Sequence, residues 1–394
     1  MRFPEFSGEW EEHTLSEYLE FKNGLNPDAK RIGSGLPFIS VMDILSEGVI
    51  NYDNIRGKVN ATEKEIECFG VKDGDLLFQR SSETLEDVGR ANVYMDNRTA
   101  IYGGFVIRGR KIGNYDPLFF KYLLATPLAR KRTCRMGAGA QHFNIGQEGL
   151  SKISLYFPSI EEQRKIAEFL SLIDERIATQ NKIIEDLKKL KSAISKYLFA
   201  RKDLLETTIC LSNIATLKNG YAFQSGKYNA LGKWKILTIT NVSGERYIND
   251  EDCNCIINLP NDIQDHQVLK EGDILISLTG NVGRVSLCKN GNYLLNQRVG
   301  LLQLAKNVNQ EFLYQILSSQ RFENSMIACG QGAAQMNIGK GDVENYVLPY
   351  SSNGNNILFA AKILHSYDEC IINELRRLTL LTMQKQYLLT QMFI

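Results

Sequence analysis

The stretch IAEFLSLIDERIATQNKIIEDLKKLKSAISKYL, residues 166–198, decides the architecture of this chain. Apolar side chains recur in it at alternating intervals of four and three residues, the heptad spacing of a helix that packs an apolar stripe on a partner helix. Neither Gly nor Pro interrupts residues 159–200, so the pattern predicts one helix of roughly 60 Å at 1.5 Å per residue. The stripe positions are Ile166, Leu170, Ile173, Ile177, Gln180, Ile184, Leu187, Lys191, Ile194 and Leu198.

The same stripe returns 194 residues further along the chain. Its two polar positions recur as well, because Gln180 aligns with Glu374 and Lys191 aligns with Lys385. A chance pattern would not repeat its exceptions, so the second stripe indicates a duplicated helix. Its positions are Ala360, Leu364, Tyr367, Ile371, Glu374, Leu378, Leu381, Lys385, Leu388 and Met392.

Shorter segments outside the helices repeat at about the same interval. An interval this long is a whole domain with its connecting segment rather than a solenoid unit. A protein made of two similar halves tends to bind a target that also has two similarly spaced halves. The repeated segments are Lys22-Asn23-Gly24 with Lys218-Asn219-Gly220, Gly74-Asp75-Leu76-Leu77 with Gly272-Asp273-Ile274-Leu275, Val88-Gly89-Arg90 with Val282-Gly283-Arg284, Gly137-Ala138-Gly139 with Gly330-Gln331-Gly332, and Asn144-Ile145-Gly146 with Asn337-Ile338-Gly339.

Each long helix follows about 150 residues of mixed pattern, in which short apolar runs are broken by Gly, Asn and Asp. Such runs predict strands separated by turns, and two segments predict short helices, so each globular part is an α+β domain. The predicted strands are 36–44, 75–78, 105–107, 234–240 and 273–278, and the predicted short helices are 116–124 and 310–318. The predicted domains are 1–157 and 201–350, and the predicted helical spacers are 158–200 and 351–394.

The helix starts differ between the two copies. Ser159 and Glu162 form an S-x-x-E capping box at the first helix, in which each side chain binds the other residue's amide. The second helix is predicted to begin near Ile357, after a loop-like run of Ser, Asn and Gly. Antiparallel pairing of the two helices would place one globular domain at each end, with an internal pseudo-twofold axis. Parallel pairing between two chains, giving a homodimer, is the alternative.

The composition limits the classes of protein to which this chain can belong. The chain has 394 residues, 43% hydrophobic and 23% charged, with a net charge of +1, all ordinary for globular domains. Its eight scattered cysteines and the absence of a signal peptide predict reduced thiols in a cytoplasmic protein. No stretch of 18 apolar residues occurs, so no membrane partner is expected.

The sequence contains none of the common catalytic motifs considered below. Gly332 to Gly341 has the wrong spacing for a phosphate-binding Walker A loop, and the sequence contains no G-x-S-x-G or H-E-x-x-H motif. Four histidines lie far apart in sequence. The residues therefore predict no catalytic site, no metal site and no cofactor in this chain.

The remaining signals suit binding of nucleic acid. Polar residues follow the predicted buried strand 75–78 and its counterpart, and Arg, Gln, Asn and Ser can read base edges in the major groove. A basic run, Arg130, Lys131, Arg132 and Arg135, leads into a glycine loop that begins with Gly137-Ala138-Gly139. The basic side chains suit contact with phosphate, and the glycines suit close approach of the backbone. A solvated helix end followed by a plain turn explains the same run equally well. The predicted DNA-binding residues are Gln79, Arg80, Ser81, Ser82, Arg90, Arg132, Arg135, Gly137, Gly139, Gln141, Ser277, Thr279, Asn281, Arg284, Gly330, Gln331, Gly332 and Gln335.

These features together resemble the specificity (S) subunit of type I restriction–modification systems. The resemblance is carried by two α+β domains each followed by a long helix, by the repeated G-D-[LI]-L and G-x-G segments, and by Glu162-Gln163-Arg164-Lys165-Ile166-Ala167. It covers essentially the whole chain. The second spacer departs from it, since residues 354–358 replace the E-Q-x-K-I segment.

The resemblance implies a protein without catalysis of its own. Each globular domain would be a target recognition domain that reads one half of a bipartite site in double-stranded DNA. The helices would set the spacing and dock two methyltransferase (M) subunits, which carry S-adenosylmethionine. Restriction (R) subunits using ATP and Mg would join afterwards. Two other hypotheses are a coiled-coil interaction scaffold that binds no DNA, and an enzyme with an unrecognised active site.

Overall fold

The computed structural model describes residues 2–139, 141–330 and 336–393. It contains two compact units. Unit 1 comprises Met1–Asn181 with Arg377–Ile394, and unit 2 comprises Lys182–Arg376. Each unit holds one globular domain and a part of each long helix, so the units divide within the helices.

Unit 1 contains the first α+β domain, and its last helix continues into unit 2. Its strands are β1 (Glu11–Thr14), β2 (Leu19–Asn23), β3 (Ile32–Ile39), β4 (Gly57–Val59), β5 (Gly70–Val71), β6 (Leu76–Gln79), β7 (Ser81–Ser82), β8 (Ala91–Val93), β9 (Ala100–Tyr102), β10 (Val106–Lys111), β11 (Phe143–Asn144) and β12 (Ser154–Phe157). Its helices are α1 (Leu15–Tyr18), α2 (Val41–Ile44), α3 (Glu63–Phe69), α4 (Pro117–Ala125), α5 (Pro127–Cys134), α6 (Gln147–Ser151) and the long helix α7 (Ile160–Ala200), with a 3-10 turn at Ala29–Arg31.

Unit 2 contains the second α+β domain. Its strands are β13 (Thr207–Cys210), β14 (Ala215–Asn219), β15 (Trp234–Leu237), β16 (Asn254–Ile256), β17 (Val268–Leu269), β18 (Ile274–Ser277), β19 (Val285–Leu287), β20 (Tyr293–Leu295), β21 (Val299–Leu304) and β22 (Val347–Tyr350). Its helices are α8 (Gln310–Leu317), α9 (Gln320–Cys329), α10 (Lys340–Glu344) and the long helix α11 (Gly354–Gln391), with 3-10 turns at Leu211–Asn213, Ser225–Lys227 and Asp265–Gln267.

The two domains share one sheet topology. Unit 1 has four-stranded sheets in the orders β2-β10-β6-β8 and β4-β3-β9-β5, and unit 2 has the corresponding orders β14-β21-β18-β19 and β16-β15-β20-β17. The one parallel pairing within these sheets also recurs, as β3 with β9 and as β15 with β20. A two-stranded ribbon, β1 with β12 or β13 with β22, joins the start of each domain to the strand before its long helix. The duplication seen in the sequence is therefore a duplication of fold, and the predicted α+β class is confirmed.

Segments of the two long helices pack on each other within each unit. In unit 1, Ile166 and Leu170 near the start of α7 share a buried core with Leu388 and Met392 near the end of α11. In unit 2, Leu198 near the end of α7 shares a core with residues at the start of α11, among them Ile357, Ala360 and Leu364. Early residues of one helix thus meet late residues of the other, so the segments run antiparallel in each unit. Within each unit, the end of one helix therefore packs on the start of the other helix of the same chain.

The predicted stripe agrees with the observed burial. Every predicted stripe residue is buried or half-buried, whereas other apolar side chains of α7 such as Leu172 and Tyr197 are 52% and 64% exposed. The buried members are Ile166, Leu170, Ile173, Gln180, Ile184, Leu198, Ala360, Leu364, Ile371, Leu388 and Met392, and the half-buried members are Ile177, Leu187, Lys191, Ile194, Tyr367, Glu374, Leu378, Leu381 and Lys385.

The lysines that interrupt both stripes have matched partners. Lys191 Nζ lies 2.5 Å from the Asp368 carboxylate in unit 2, and Lys385 Nζ lies 2.5 Å from the Asp174 carboxylate in unit 1. The two lysine interruptions of the heptads therefore form ion pairs between the helices, one in each unit.

Several element boundaries depart from the sequence-based expectation. The predicted strand 36–44 ends at Ile39, and its last part is the helix α2. Ser40 causes this change, because its amide and hydroxyl both donate to the Asp43 carboxylate and cap that turn. The predicted strand 234–240 is likewise shorter, since β15 ends at Leu237.

The starts of the long helices also differ from expectation. Only half of the predicted capping box at α7 forms. The Glu162 amide donates to Ser159 Oγ at 3.4 Å, but the Glu162 carboxylate accepts from the guanidinium of Arg2 at 2.7 Å. Helix α11 begins at Gly354 rather than near Ile357, because the side chain of Asn353 accepts from the amide of Asn355 and its carbonyl accepts from Ile357.

Candidate nucleic-acid interface

Two segments that the sequence marks separately for binding meet in unit 1. The loop after the buried strand β6 continues as β7, and β7 pairs with β11, so that Ser81 lies opposite Asn144 and Ser82 opposite Phe143. The Ser81 hydroxyl donates to the side chain of Asn144, and Asn144 also bridges to Ala138 of the glycine loop. The strand-end loop and the glycine loop therefore form one surface.

Unit 2 builds the same junction. Thr279 forms a bridge with Asn337, and its hydroxyl donates to the Asn337 side-chain oxygen at 3.2 Å. The Gly280 amide donates to the Met336 carbonyl at 2.9 Å. We call the junction formed by 80–82 with 137–139 and 141–144 reading surface 1, and the junction formed by 278–281 with 336–337 reading surface 2.

The two asparagines were missing from the predicted DNA-binding set. Asn144 and Asn337 are exposed and hold equivalent places in the reading surfaces. The signal for them was present, since each opens a repeated Asn-Ile-Gly segment. The isoleucine of that segment is buried in its domain core, which fixes the asparagine at the surface beside it.

Most of the predicted loop residues are accessible to a ligand. Ser81, Ser82 and Thr279 are half-buried, and Asn281 and Gln141 are exposed. Arg80 is half-buried. Its Nη1 donates a long hydrogen bond, 3.4 Å, to the carbonyl of Gly104. Each surface thus presents donors and acceptors of the kind that read base edges.

Two predicted binding residues lie inside the protein. Gln79 is 5% exposed and donates from Nε2 to the Ser81 carbonyl at 2.9 Å, and Ser277 is fully buried and donates to the Thr279 carbonyl at 3.3 Å. They occupy the same position at the end of β6 and β18. Their observed contacts hold the loops that follow them, so the side chains position the surface without facing outward.

The repeated Val-Gly-Arg segments support the loops from behind. Gly89 has φ +65° and donates its amide to the Gln79 carbonyl, and Gly283 has φ +79° and donates to the Ser277 carbonyl. A Cβ at Gly89 would lie 2.5 Å from a methyl group of Thr133, so only glycine fits. Arg90 pairs with Asp87 at 2.7 Å, and Arg284 lies 3.4 Å from Glu323.

The basic run before the glycine loop is largely tied to the protein. Arg132 donates to Glu12 at 2.9 Å and to Ser154, and Arg130 donates to the carbonyls of Glu86 and Val88. Burial lowers the pKa of the Arg130 guanidinium. Lys131 and Arg135 are exposed, so these two members of the run are accessible to a phosphate group.

Only part of each glycine loop lies among the residues that the structure describes. Gly137 is half-buried, and Gly139 is exposed with φ +145°, where a Cβ would lie 1.9 Å from the His142 carbonyl. Gly330 ends α9. The predicted residues Gln331, Gly332 and Gln335 lie outside the described residues.

The described residues hold no group of three or more His, Cys, Asp or Glu side chains suited to a metal ion. Burial raises the pKa of Cys253 to about 11 and that of Cys288 to about 12, so these thiols stay protonated and unreactive near neutral pH. None of the helices in the described part of the chain is long and apolar enough to cross a membrane.

The fold is thus a duplicated α+β domain with one polar surface in each copy and a long helix after each domain. The family model described as "Type I restriction modification DNA specificity domain" matches the chain twice, over residues 7–189 and 206–382. The chain belongs to this family of type I restriction–modification specificity subunits, which recognise DNA sequence and are not themselves enzymes.

Individual relatives agree with that assignment. The Type I restriction enzyme MjaVIII specificity subunit of Methanocaldococcus jannaschii is 25% identical over 83% of this chain and 78% of its own length. The putative MjaX specificity subunit of the same organism is 23% identical over 88% of this chain and 84% of its own length. The crystal structure of the type I S subunit from M. genitalium is 17% identical, with a TM-score of 0.59 over 98% of this chain and 96% of that chain, and shares the fold.

Proposed function

We propose that this chain reads a bipartite, asymmetric site in double-stranded DNA, with reading surface 1 on one half and reading surface 2 on the other. One observation carries the proposal. The same junction is built twice around Asn144 and Asn337, but the side chains around those residues differ. Arg80 of unit 1 is half-buried, whereas the corresponding Leu278 of unit 2 is only 7% exposed. At this position surface 1 therefore presents a guanidinium and surface 2 does not, although both share one backbone plan.

The contrast between the surfaces explains why the target is asymmetric. An arginine in the major groove favours guanine, whereas Ser, Thr and Asn accept or donate with several bases. The bases between the two half-sites need not be read, because the long helices fix the distance between the reading domains. Half-sites about one helical turn apart, roughly 34 Å, suit two related modules.

We further propose that two M subunits dock on the long helices, with S-adenosylmethionine bound in those subunits. R subunits using ATP and Mg would join the same assembly, in the cytoplasm where the DNA lies. The support is apolar surface left over after the helices have packed on each other. The large hydrophobic side chains at least 41% exposed on α7 and α11 are Leu172, Ile183, Leu190, Tyr197, Leu358, Phe359, Leu380, Met383 and Tyr387. Ile183, Leu190 and Tyr197 recur every seven residues on one face of α7, and a contiguous apolar face of this kind favours a protein partner.

The test of this function is co-expression with the cognate M subunit. We expect adenine methylation at a split motif, detected by methylome sequencing of cells with and without the gene for this chain. A confirmed complex that adds no methylated motif would exclude the DNA-reading function. Salt-dependent DNA binding by the assembled complex separates it from a scaffold that binds proteins alone.

A double variant of reading surface 1, Arg80→Ala with Ser81→Ala, should alter one half-motif and leave the other intact. Loss of a base contact of this type weakens discrimination at its position by about 1–3 kcal/mol. The measurement is the methylated motif of the co-expressed complex. The unchanged half-motif is the internal control, and Thr279→Ala with Asn281→Ala should give the reciprocal result. Equal change in both halves would contradict the assignment of one domain to one half-site.

A further inference from the structure

A third segment lies directly beside each reading surface. In unit 1 it is the turn 103–105 that leads into β10. The Arg80 amide donates to the Phe105 carbonyl at 2.9 Å, and Arg80 Nη1 lies 3.4 Å from the Gly104 carbonyl. The turn and the strand-end loop are therefore hydrogen-bonded neighbours at one edge of the sheet.

Unit 2 has the same turn in the same place. The Leu278 amide donates to the Arg298 carbonyl at 3.0 Å. The registers match as well, since Val106 lies opposite Gln79 in unit 1 and Val299 lies opposite Ser277 in unit 2. Phe105 and Arg298 are thus equivalent residues.

Both turns are closed by the same backbone hydrogen bond. The amide of Val106 donates to the Gly103 carbonyl at 2.9 Å, and the amide of Val299 donates to the Asn296 carbonyl at 2.9 Å. In unit 2 the Asn296 side chain also accepts from the Arg298 amide at 3.1 Å. The third residue of each turn, Phe105 or Arg298, therefore has a fixed backbone position.

The side chains at that third position project into solvent. Phe105 is 68% exposed, whereas Phe78, Phe119 and Phe120 of the same unit are fully buried. Arg298 is exposed too, and its guanidinium has no ion pair or hydrogen bond among the contacts of the described residues. A single exposed phenylalanine is ordinary by itself, but here it stands on a fixed turn next to a DNA-reading loop and is replaced by arginine in the other copy.

We propose that Phe105 and Arg298 are specificity-determining residues that read one base pair each, in different half-sites. Phe105 packs its ring on the 5-methyl group of a thymine, and Arg298 donates two hydrogen bonds to O6 and N7 of a guanine. This inference rests on the proposed function and names the base classes that two of its contacts read. It adds a third segment to both reading surfaces.

The experiment measures the methylated motif, and the relative binding of singly substituted DNA sites, for complexes with the M subunit. Phe105→Ala should relax one T·A position in one half-motif, and Arg298→Ala should relax one G·C position in the other half-motif, each by roughly tenfold to a hundredfold. Phe105→Leu should keep part of the thymine preference. Arg298→Lys should lose part of the guanine preference, because an ammonium lacks the bidentate fork.

Matched controls stand at the opposite ends of the same strands. Ile112 follows β10 and is 58% exposed, and Lys306 lies just beyond β21 and is exposed. Ile112→Ala and Lys306→Ala remove similar exposed side chains and should leave both half-motifs unchanged. Thermal unfolding of each variant checks that the fold is kept.

The outcomes separate this inference from the function on which it rests. One outcome is that the unaltered complex methylates a split motif but both variants keep full discrimination at every position. In that case the assignment of base contacts to Phe105 and Arg298 is wrong, and the proposed function stands. Weaker binding that is uniform across all sequences would also overturn them, since it indicates backbone contact. If the unaltered complex methylates no split motif, the proposed function itself fails.

Discussion

Replacement of Asp368 by alanine is expected to destabilise unit 2 by about 3–5 kcal/mol, because it removes one of the two carboxylates that compensate the buried charge of Arg246. Asp368 is 6% exposed. Its carboxylate accepts from Arg246 at 2.9 Å, from Gln315 at 2.6 Å and from Lys191 at 2.5 Å. One side chain of α11 therefore ties the globular domain and the other long helix together.

Arg246 is the residue whose charge loses the most compensation when Asp368 is removed. It is 9% exposed, and although burial alone lowers its pKa, hydrogen bonds to Glu311 and Tyr247 hold the pKa above its ordinary value. The guanidinium stays charged at any pH at which the protein is folded. Without Asp368 it keeps Glu311, at 2.6 Å, but a buried charge with part of its compensation removed is costly.

Hydrogen–deuterium exchange resolved by peptide is the suitable measurement, since a two-unit chain need not unfold in one step. Peptides from α8 and from residues 360–376 should exchange much faster in Asp368→Ala, with peptides from 1–150 unchanged. Glu369→Ala is the matched control, because Glu369 is the exposed neighbour on the same helix. Exchange in unit 2 as slow as in the unaltered protein would show that the carboxylate is not needed there.

Unit 1 contains a corresponding aspartate, Asp174, whose partner from the globular domain is a different type of residue. Asp174 accepts from the Tyr122 hydroxyl at 2.9 Å and lies 2.5 Å from Lys385. Tyr122 of α4 corresponds to Gln315 of α8, and Asp174 corresponds to Asp368. The aspartate–lysine pair is shared by both units, whereas the group from the globular domain has diverged.

The sequence predicted the helices well because their rule is local and periodic. A stripe at heptad spacing fixes which side chains are buried, and Leu170 and Leu364 are fully buried as predicted. The pattern also placed Lys191 and Lys385 within the stripe, but it could not supply their partners. Asp174 and Asp368 lie outside the stripe positions, and only the packed helices bring them to the lysines.

The reading surfaces were harder to predict, because they depend on contacts between segments about 60 residues apart. Gln79 looked like a binding residue from its place after a buried strand, but its side chain turns inward and bonds the Ser81 carbonyl. Asn144 stood out only as part of a repeated segment, but strand pairing with Ser81 puts it at the surface. Alternation could not give the direction of the Gln79 side chain, because all four residues of β6, Gln79 included, are buried.

Matched insertion of one heptad into both long helices should widen the gap between the half-motifs without changing the bases read. The insertions are a duplicate of residues 175–181 placed after Asn181 and a duplicate of residues 370–376 placed after Arg376. Both points are boundaries between the compact units, so the contacts inside each unit are kept. Seven helical residues add about 10 Å, or about three base-pair steps of roughly 3.4 Å.

Methylome sequencing of the co-expressed complex reads the result directly as the number of unspecified bases in the motif. The helix segments run antiparallel within each unit, so an insertion in α7 alone leaves seven residues without a partner. That single insertion is the control, and we expect it to lower methylation without creating a wider motif. If the matched double insertion left the gap unchanged, or altered the bases at either half-site, the helices would not be what sets the spacing. A wider gap with both half-motifs preserved would separate the two duplicated functions, since the domains then determine the bases and the helices determine the distance.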